Sequence, residues 1–336
     1  HLSMHAIVHQ PPNSPTPLQD VPLTWTQQPT PVPAAGEVRC QVAAAGVNQP
    51  DLLQRRGLYP PPAGHSPILG LEVAGTVVQL GADVRDIGVG DVVCALTNGG
   101  GYAEYVSVPA GQCLPIPAGL SLPQAAALPE ALFTLWAHLF LRANLRGGER
   151  LLVHGAAGGV GHLAIQLAKA FGVGVLALVG TKQRAAFVRK LGVERVLPEW
   201  RQQNWPAWVK ETTGGDGVSV VLDHHGGSLL SQNLSVLELE GRLLIIGQMD
   251  GSGVEDGFDV NRLLTKRLTI MGATLRPRAN EFKAMIAWEL YQKVWPLVEQ
   301  GRVKPHIHAT LPMAEAAAAH QLLADNQVMG KVVLVV

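Results

Sequence analysis

The stretch Leu151–Lys169, LLVHGAAGGVGHLAIQLAK, constrains the fold more than any other part of the chain. Its apolar start, Leu151–Leu152–Val153, has the composition of a strand buried on both faces. A turn of small residues follows, Gly155–Ala156–Ala157–Gly158–Gly159–Val160–Gly161, and Leu163–Lys169 then runs without a helix breaker. Strand, glycine turn and helix in that order are the setting in which a dinucleotide fingerprint has physical meaning. The G-x-G-x-x-G spacing falls on Ala156, Gly158 and Gly161, so alanine takes the first glycine's place. Gly158 lets backbone approach a pyrophosphate and Gly161 lets the helix lie close to the strand. The amides that open the helix then face the phosphate charge.

The rest of the chain divides in texture around this stretch. Its 336 residues suggest about two domains. Residues 4–128 alternate short β-like runs with proline or glycine clusters. The runs are Met4–Val8, Val21–Thr26, Glu37–Ala45, Val73–Gln79, Asp91–Leu96 and Tyr102–Pro109, with helix expected only at Pro50–Arg56 and Leu122–Leu128. An irregular β-barrel is the expected outcome. Beyond Ala131, a helical stretch to Leu145 leads into apolar segments at Val173–Val179, Arg195–Leu197, Val218–Leu222, Arg242–Ile246 and Leu268–Met271. Helical stretches at Gln183–Leu191 and Leu229–Leu237 separate them. Alternating strand and helix implies an α/β, doubly wound parallel sheet whose ligand lies outside the carboxyl ends of the strands. A long helix over Ala279–Gln300, a second over Ala314–Asn326 and a terminal strand at Lys331–Val336 complete the pattern. The expected domains are 4–130 with 273–336, and 131–272 between them.

Composition narrows the function classes. Acidic and basic residues balance at 26 each, with no lysine/arginine run, which argues against a nucleic-acid partner. Apolar runs stop short of the roughly 18 residues that span a bilayer. The start of the chain has no signal core, and His1–Leu2–Ser3 ahead of Met4 reads as a remnant of expression. A cytoplasmic enzyme with no membrane partner is expected. Cys40, Cys94 and Cys113 are too few and too widely spaced for a disulfide framework or a Cys-x-x-Cys metal site. Adjacent residues on a strand end point to opposite faces, so His224–His225 is expected to be a packed or cofactor-lining pair and not a metal site.

Further blocks bracket the glycine turn: Val47–Asn48–Gln49–Pro50–Asp51, Arg56–Gly57–Leu58–Tyr59, Ile68–Gly75, Gly100–Tyr105 and Gly330–Leu334. In this order and spacing the sequence resembles the quinone oxidoreductases of the medium-chain dehydrogenase/reductase superfamily, the relatives of zeta-crystallin. The resemblance implies a GroES-like catalytic domain closed by the C-terminal segment, and a Rossmann domain between. It implies homodimers joined edge to edge through the last Rossmann strand, here Leu268–Leu275. Zinc-dependent cousins carry a ligand cysteine near Val47–Asn48 and a histidine in the middle of Gly70–Leu71–Glu72, so no zinc is expected.

Dinucleotide enzymes that use NAD place an acid about 20 residues after the fingerprint. Gly180–Thr181–Lys182–Gln183–Arg184 stands at that offset with no carboxylate and two cations, which favours the 2′-phosphate of NADPH over NADH. Pro198–Glu199 departs from the aromatic residue many relatives have there. The resemblance assigns further cofactor contacts to Thr134, Gly158, Gly159, Val160, Gly161 and Gly180. It also assigns them to Gly247, Gln248, Met249, Ala273, Thr274, Leu275 and Lys331. It places Asn48 and Tyr59 over the nicotinamide, where Asn48 donates to an acceptor oxygen and Tyr59 stacks or donates its hydroxyl. Asp51, three residues after Asn48, shares its helical face, or else pairs with an arginine. The expected acceptor is a quinone or another electrophilic small molecule. Two alternatives stand beside it: an NADPH-dependent enoyl or alkenal reductase, and a cofactor-binding structural or regulatory protein with little turnover.

Overall fold

The computed structural model describes residues 2–254 and 257–336. In chain order its first strands are β1 (Ser3–Val8), β2 (Thr24–Pro29), β3 (Glu37–Val47), β4 (Glu72–Leu80), β5 (Val92–Leu96), β6 (Tyr105–Pro109) and β7 (Cys113–Pro115). A second series follows: β8 (Arg150–Val153), β9 (Gly174–Leu178), β10 (Arg195–Leu197), β11 (Val218–Asp223), β12 (Leu237–Ile245) and β13 (Thr269–Gly272). The last two are β14 (Ile307–Pro312) and β15 (Lys331–Val335). The chain forms two compact units. One takes in the chain up to Phe133 with Arg276–Gln300 and Pro305–Val336, the other Thr134–Leu275 with Gly301–Lys304.

In the first unit the sheet order is β14-β15-β3-β4-β5-β7, with β6 paired to β3. The terminal strand β15 lies antiparallel to β3, Val332 opposite Val47 and Val335 opposite Ala44. Alternation along β3 buries Val38, Cys40 and Val42 in a core with Val73, Val77, Val93, Val106, Val332 and Leu334. The three thiols are free, and Cys113 packs against the core that holds Cys40, so residues far apart in sequence share one barrel interior. Gly75 faces the Gln41 carbonyl so closely that a Cβ would sit 2.0 Å from it, beside a register shift between Val42 and Ala44. β2 starts at Thr24, later than its apolar run, because its register on β1 pairs Val8 with Thr24 and Ser3 with Pro29. The long helix expected over Ala279–Gln300 is two, Asn280–Lys293 and Trp295–Glu299. Pro296 has no amide to continue the first helix, and Trp295 donates its indole N–H to the Pro115 carbonyl at 2.8 Å.

The second unit is a six-stranded sheet in the order β10-β9-β8-β11-β12-β13, every pair parallel. Strand order therefore reverses between β8 and β11. Leu152, Leu176, Leu178, Val221 and Leu243 pack on one side with Trp200, Trp205 and Leu234. The helix Gly159–Ala170 buries Leu163, Ile165 and Leu167. The expected Ala131–Leu145 helix is α-helical to Thr134 and widens to a π-helix over Leu135–Arg142, with the Ala143 amide on the His138 carbonyl at 2.9 Å. β12 begins at Leu237, which pairs with Val218, so the preceding helix ends at Ser235. Gly301–Lys304 belongs to this unit, not with the rest of the tail, because Gln166 both donates to the Lys304 carbonyl and accepts from its amide.

Gly75→Ala is expected to lower stability by about 1–3 kcal/mol, since its Cβ meets backbone that cannot yield. Gly88→Ala, where a Cβ has nothing nearer than Asp91 Oδ2 at 3.9 Å, should stay within about 0.5 kcal/mol. Thermal midpoints of the two variants against the parent chain check this.

Candidate functional site

In a doubly wound sheet the ligand crevice opens at the carboxyl edge where strand order reverses, here between β8 and β11. The turn after β8 shows why its glycines are needed. Gly155 has a φ of +59°, and the space of its missing Cβ is filled by the His224 ring, 1.7 Å from the ideal position. A Cβ on Gly161 would lie 2.3 Å from the Gly155 carbonyl and 2.8 Å from the Ala156 Cα, so only glycine lets the helix seat on the turn. Gly158 caps the helix with no side-chain bond to its first amides, and its own amide folds back to the Gly155 carbonyl at 3.0 Å. Such a bare helix start fits a pyrophosphate.

Apart from Thr134, the other expected cofactor residues of this unit follow the carboxyl ends of its strands. Gly180 follows β9 with open space where a Cβ would be. Thr181 caps the helix Lys182–Arg189 by accepting from the Arg184 amide at 3.1 Å. Lys182 is exposed, whereas Arg184 is partly buried. Gly247, Gln248 and Met249 follow β12, with the Met249 amide on the His224 carbonyl at 2.9 Å. Ala273, Thr274 and Leu275 follow β13. Thr134 ends a helix ahead of β8 and is not on a strand end.

The packed pair expected at His224–His225 is present, but the opposed-face premise behind it is corrected. The two rings do not face opposite ways; their centroids are 4.3 Å apart. β11 ends at Asp223, whose carboxylate accepts from the amides of His225 and Gly226 at 3.1 and 2.9 Å. That tight turn abolishes strand alternation just where the pair begins.

In the first unit, Asn48, Asp51 and Lys331 join one buried polar cluster. Asn48 precedes the helix Gln49–Arg55 and is 7% exposed. Its Nδ2 donates to Glu72 Oε2 at 2.8 Å, and its Oδ1 accepts from Lys331 Nζ at 2.5 Å. Lys331, from β15, also reaches Glu72 Oε2 at 2.6 Å, while Glu72 Oε1 accepts the Glu130 amide. Gly46 makes room for this carboxylate: a Cβ there would fall 2.0 Å from Glu72 Oε2. Asp51 is sealed. It accepts from the Asn48 amide at 2.9 Å, the Gly70 amide at 3.1 Å and the Tyr102 hydroxyl at 3.0 Å. Burial nonetheless raises its carboxyl to about 6. Its partner is a tyrosine, not the arginine considered from sequence. Tyr59 stands apart from these bonds, half-buried, and burial followed by the Glu130 charge raises its phenol.

Sequence reasoning missed Glu72, Tyr102, Glu130 and His320. Tyr102 also lies 3.1 Å from His320 Nε2, and His320 Nδ1 lies 3.3 Å from Arg55 Nη1. Burial, then the Arg55 charge, lowers His320 to about 3, so its ring is neutral and accepts from Arg55 at Nδ1. Its proton therefore sits on Nε2 and is donated to the Tyr102 oxygen. Burial and then the Glu72 charge raise Glu130 to about 8, which keeps it in the acid form at neutral pH. Tyr102 and Glu72 stood inside the quoted sequence blocks without a sign of their partners, while Glu130 and His320, both on helices, emerge only from tertiary packing. Lys331→Met should cost about 3–5 kcal/mol by stranding the Glu72 carboxylate, and adding Glu72→Gln should recover part of the loss. Denaturation of both variants measures it.

Comparisons with known proteins agree with this geometry. The alcohol dehydrogenase GroES-like domain model matches residues 34–118, and the zinc-binding dehydrogenase model matches residues 159–290. The quinone oxidoreductase of Rattus norvegicus is 32% identical over 310 residues, 90% of each chain. The phthioceranic/hydroxyphthioceranic acid synthase of Mycobacterium tuberculosis is 32% identical over 304 residues, but this chain spans only 14% of that protein's length. The crystal structure of Escherichia coli quinone oxidoreductase complexed with NADPH superposes with a TM-score of 0.85 at 29% identity, covering both chains completely. Among the described residues no helix is long and apolar enough to cross a membrane. The chain is an oxidoreductase that belongs to the medium-chain dehydrogenase/reductase superfamily, as a homologue of its quinone oxidoreductases.

Proposed function

We propose that this chain is an NADPH-dependent quinone oxidoreductase that uses no catalytic zinc and works as a cytoplasmic homodimer. The observation that carries the reading is the end of β9. Thr181, Lys182 and Arg184 stand there, and no carboxylate occupies Gly180–Arg184 to repel a 2′-phosphate. When bound, NADPH supplies a hydride to the acceptor.

The protein's own residues bind, orient and hold protons. Amides of Gly158, Gly159, Val160 and Gly161 hold the pyrophosphate, while Thr181, Lys182 and Arg184 take the 2′-phosphate. Thr134 and the backbone of Gly247–Met249 and Ala273–Leu275 complete the cradle. In the first unit Asn48 gives one amide proton to Glu72 and keeps a second for an acceptor oxygen. Lys331 gives two of its three protons to Asn48 and Glu72 and keeps the third for the cofactor. Tyr59 positions the acceptor ring. Asp51, closed off by three bonds, acts by orienting the Asn48 backbone. The absence of a catalytic metal is supported by the Lys331 ammonium, which already neutralises Glu72, and by Leu71, which offers no donor. We read 4–130 with 273–336 as the catalytic domain and 131–272 as the dinucleotide domain. The open edge of β13, where Ile270 is 38% exposed, is our proposed dimer seam.

NADPH should exceed NADH in kcat/KM by at least about tenfold, given charged hydrogen bonds worth roughly 1.5–3 kcal/mol each. The Lys182→Ala/Arg184→Ala double variant should close most of that gap; equal use of both nucleotides by the parent chain refutes the NADPH assignment. In a panel of quinones, enals and enoyl thioesters, NADPH oxidation is expected with quinones. Preference for enals or enoyl thioesters would make the protein a carbon–carbon double-bond reductase, and binding without oxidation a structural or regulatory one. Asn48→Ala and Tyr59→Phe should each lower kcat/KM for quinones by at least about tenfold; unchanged values sink their assignment.

A further inference from the structure

The turn that brings His224 and His225 together also completes a second constellation in the α/β unit. His154 follows β8, Asp223 ends β11 and His225 lies two residues on, so the donors come from both sides of the strand-order reversal. One donor atom from each of His154, Asp223 and His225 lies within 4.8 Å of the others, and all three residues are buried.

His154 has a partner on one nitrogen and a bare nitrogen on the other, and neither ring nitrogen of His225 is hydrogen-bonded. His154 Nε2 lies 2.7 Å from Asn233 Oδ1, an acceptor, so Nε2 carries the proton. Its Nδ1 is buried with no hydrogen-bond partner, although His154 is only 2% exposed. His225 Nδ1 lies 3.2 Å from Asp250 Oδ2, and Arg201 holds that carboxylate at 3.0 and 3.2 Å. That Nδ1 contact is an ion-pair approach without hydrogen-bond geometry, so both His225 ring nitrogens are buried and unpartnered in a residue 7% exposed. The Asp223 oxygens each accept one backbone amide, which leaves lone pairs on both. His154 shows the pattern of a metal-ligating histidine, one ring nitrogen on an oxygen acceptor and the other bare, and His225 has the Asp250 carboxylate 3.2 Å from Nδ1 to take that role. Trp200 and Trp205 pack edge-on to the His154 ring, with centroids 6.0 and 5.2 Å away, and wall the group from bulk water.

We propose that His154 Nδ1, Asp223 and His225 Nε2 form a binding site for a divalent transition metal of the zinc class. Two imidazoles and one carboxylate suit zinc, whose tetrahedral bonds of about 2.0–2.2 Å set donors about 3.3–3.6 Å apart. The donors therefore draw together by up to about 1.3 Å on binding, and one enclosed water completes the fourth position. An ion here ties the end of β8 to the end of β11, the two strands that bound the crevice. The proposal departs from the zinc-free expectation only in this unit, where that expectation rested on opposed histidine faces. It does not depend on which acceptor or nucleotide the protein uses.

Calorimetric titration of the metal-stripped full chain with Zn²⁺, and visible absorption with Co²⁺ as reporter ion, tests it. The expected result is one ion per chain, Co²⁺ bands of a low-coordinate site and a raised thermal midpoint with zinc. His225→Gln and Asp223→Asn should each weaken binding at least about 100-fold. Asp250→Asn, which removes only the outer partner of His225, should weaken it about 10–100-fold. Circular dichroism of the unloaded variants verifies their folding, and Asp250→Asn, at a partly exposed side chain, keeps the test decisive if an inner variant misfolds. Absence of zinc binding, or binding unchanged in all three variants, overturns the proposal.

Discussion

The buried contact of Lys331 with Glu72 holds together parts of the chain that are far apart in sequence. Lys331 opens the terminal strand β15, Glu72 opens β4, and both meet Asn48 just past β3. Two charges removed from water are stable only when each is fully bonded. Glu72 meets that condition with Asn48, Lys331 and the Glu130 amide, and Gly46 gives it the space. The C-terminal strand is therefore fixed in the β-rich unit by charge as well as by its ladder to β3. The same contact fixes the Asn48 side chain, and so makes one element both structural and chemical.

Steric necessity plays the corresponding part in the α/β unit. Gly155 yields its side-chain space to His224, and Gly161 yields its own to the Gly155 carbonyl. These close approaches draw the turn after β8 against the turn after β11, so the edge that suits a phosphate also gathers His154, Asp223 and His225. Packing that looks like a phosphate cradle from one side is a donor cluster from the other.

Much of the fold was legible in the residues. β10 has the expected bounds, and β1, β3, β4 and β5 lie within a residue or two of the apolar runs, because alternation and flanking turns carry that signal. β7 and β14 were not legible: the first is three residues long, and the second, with an intermediate-exposed pattern, has no apolar face of its own. The break at Trp295–Pro296 was written in the proline, although one continuous helix was expected across it. In the candidate site, the glycine turn and the cations at Lys182 and Arg184 could be read directly. Glu72, Glu130 and His320 could not, because a buried polar residue has no local signature until its partners are known.

By itself the sequence determined the order of elements, the glycine turn, the lack of a carboxylate after β9 and the family to which the chain belongs. Local pattern decides these, since side-chain periodicity and backbone freedom act over a few residues. Only the tertiary structure decided which polar groups meet. It turned Asp51 from a candidate catalytic residue into a sealed anchor for Asn48. It gave Lys331 a carboxylate partner 259 positions away. It also set His224 beside His225 where strand alternation had separated them. Burial makes such groups find partners, and partners brought from distant strands are fixed by the fold and not by their neighbours in the chain.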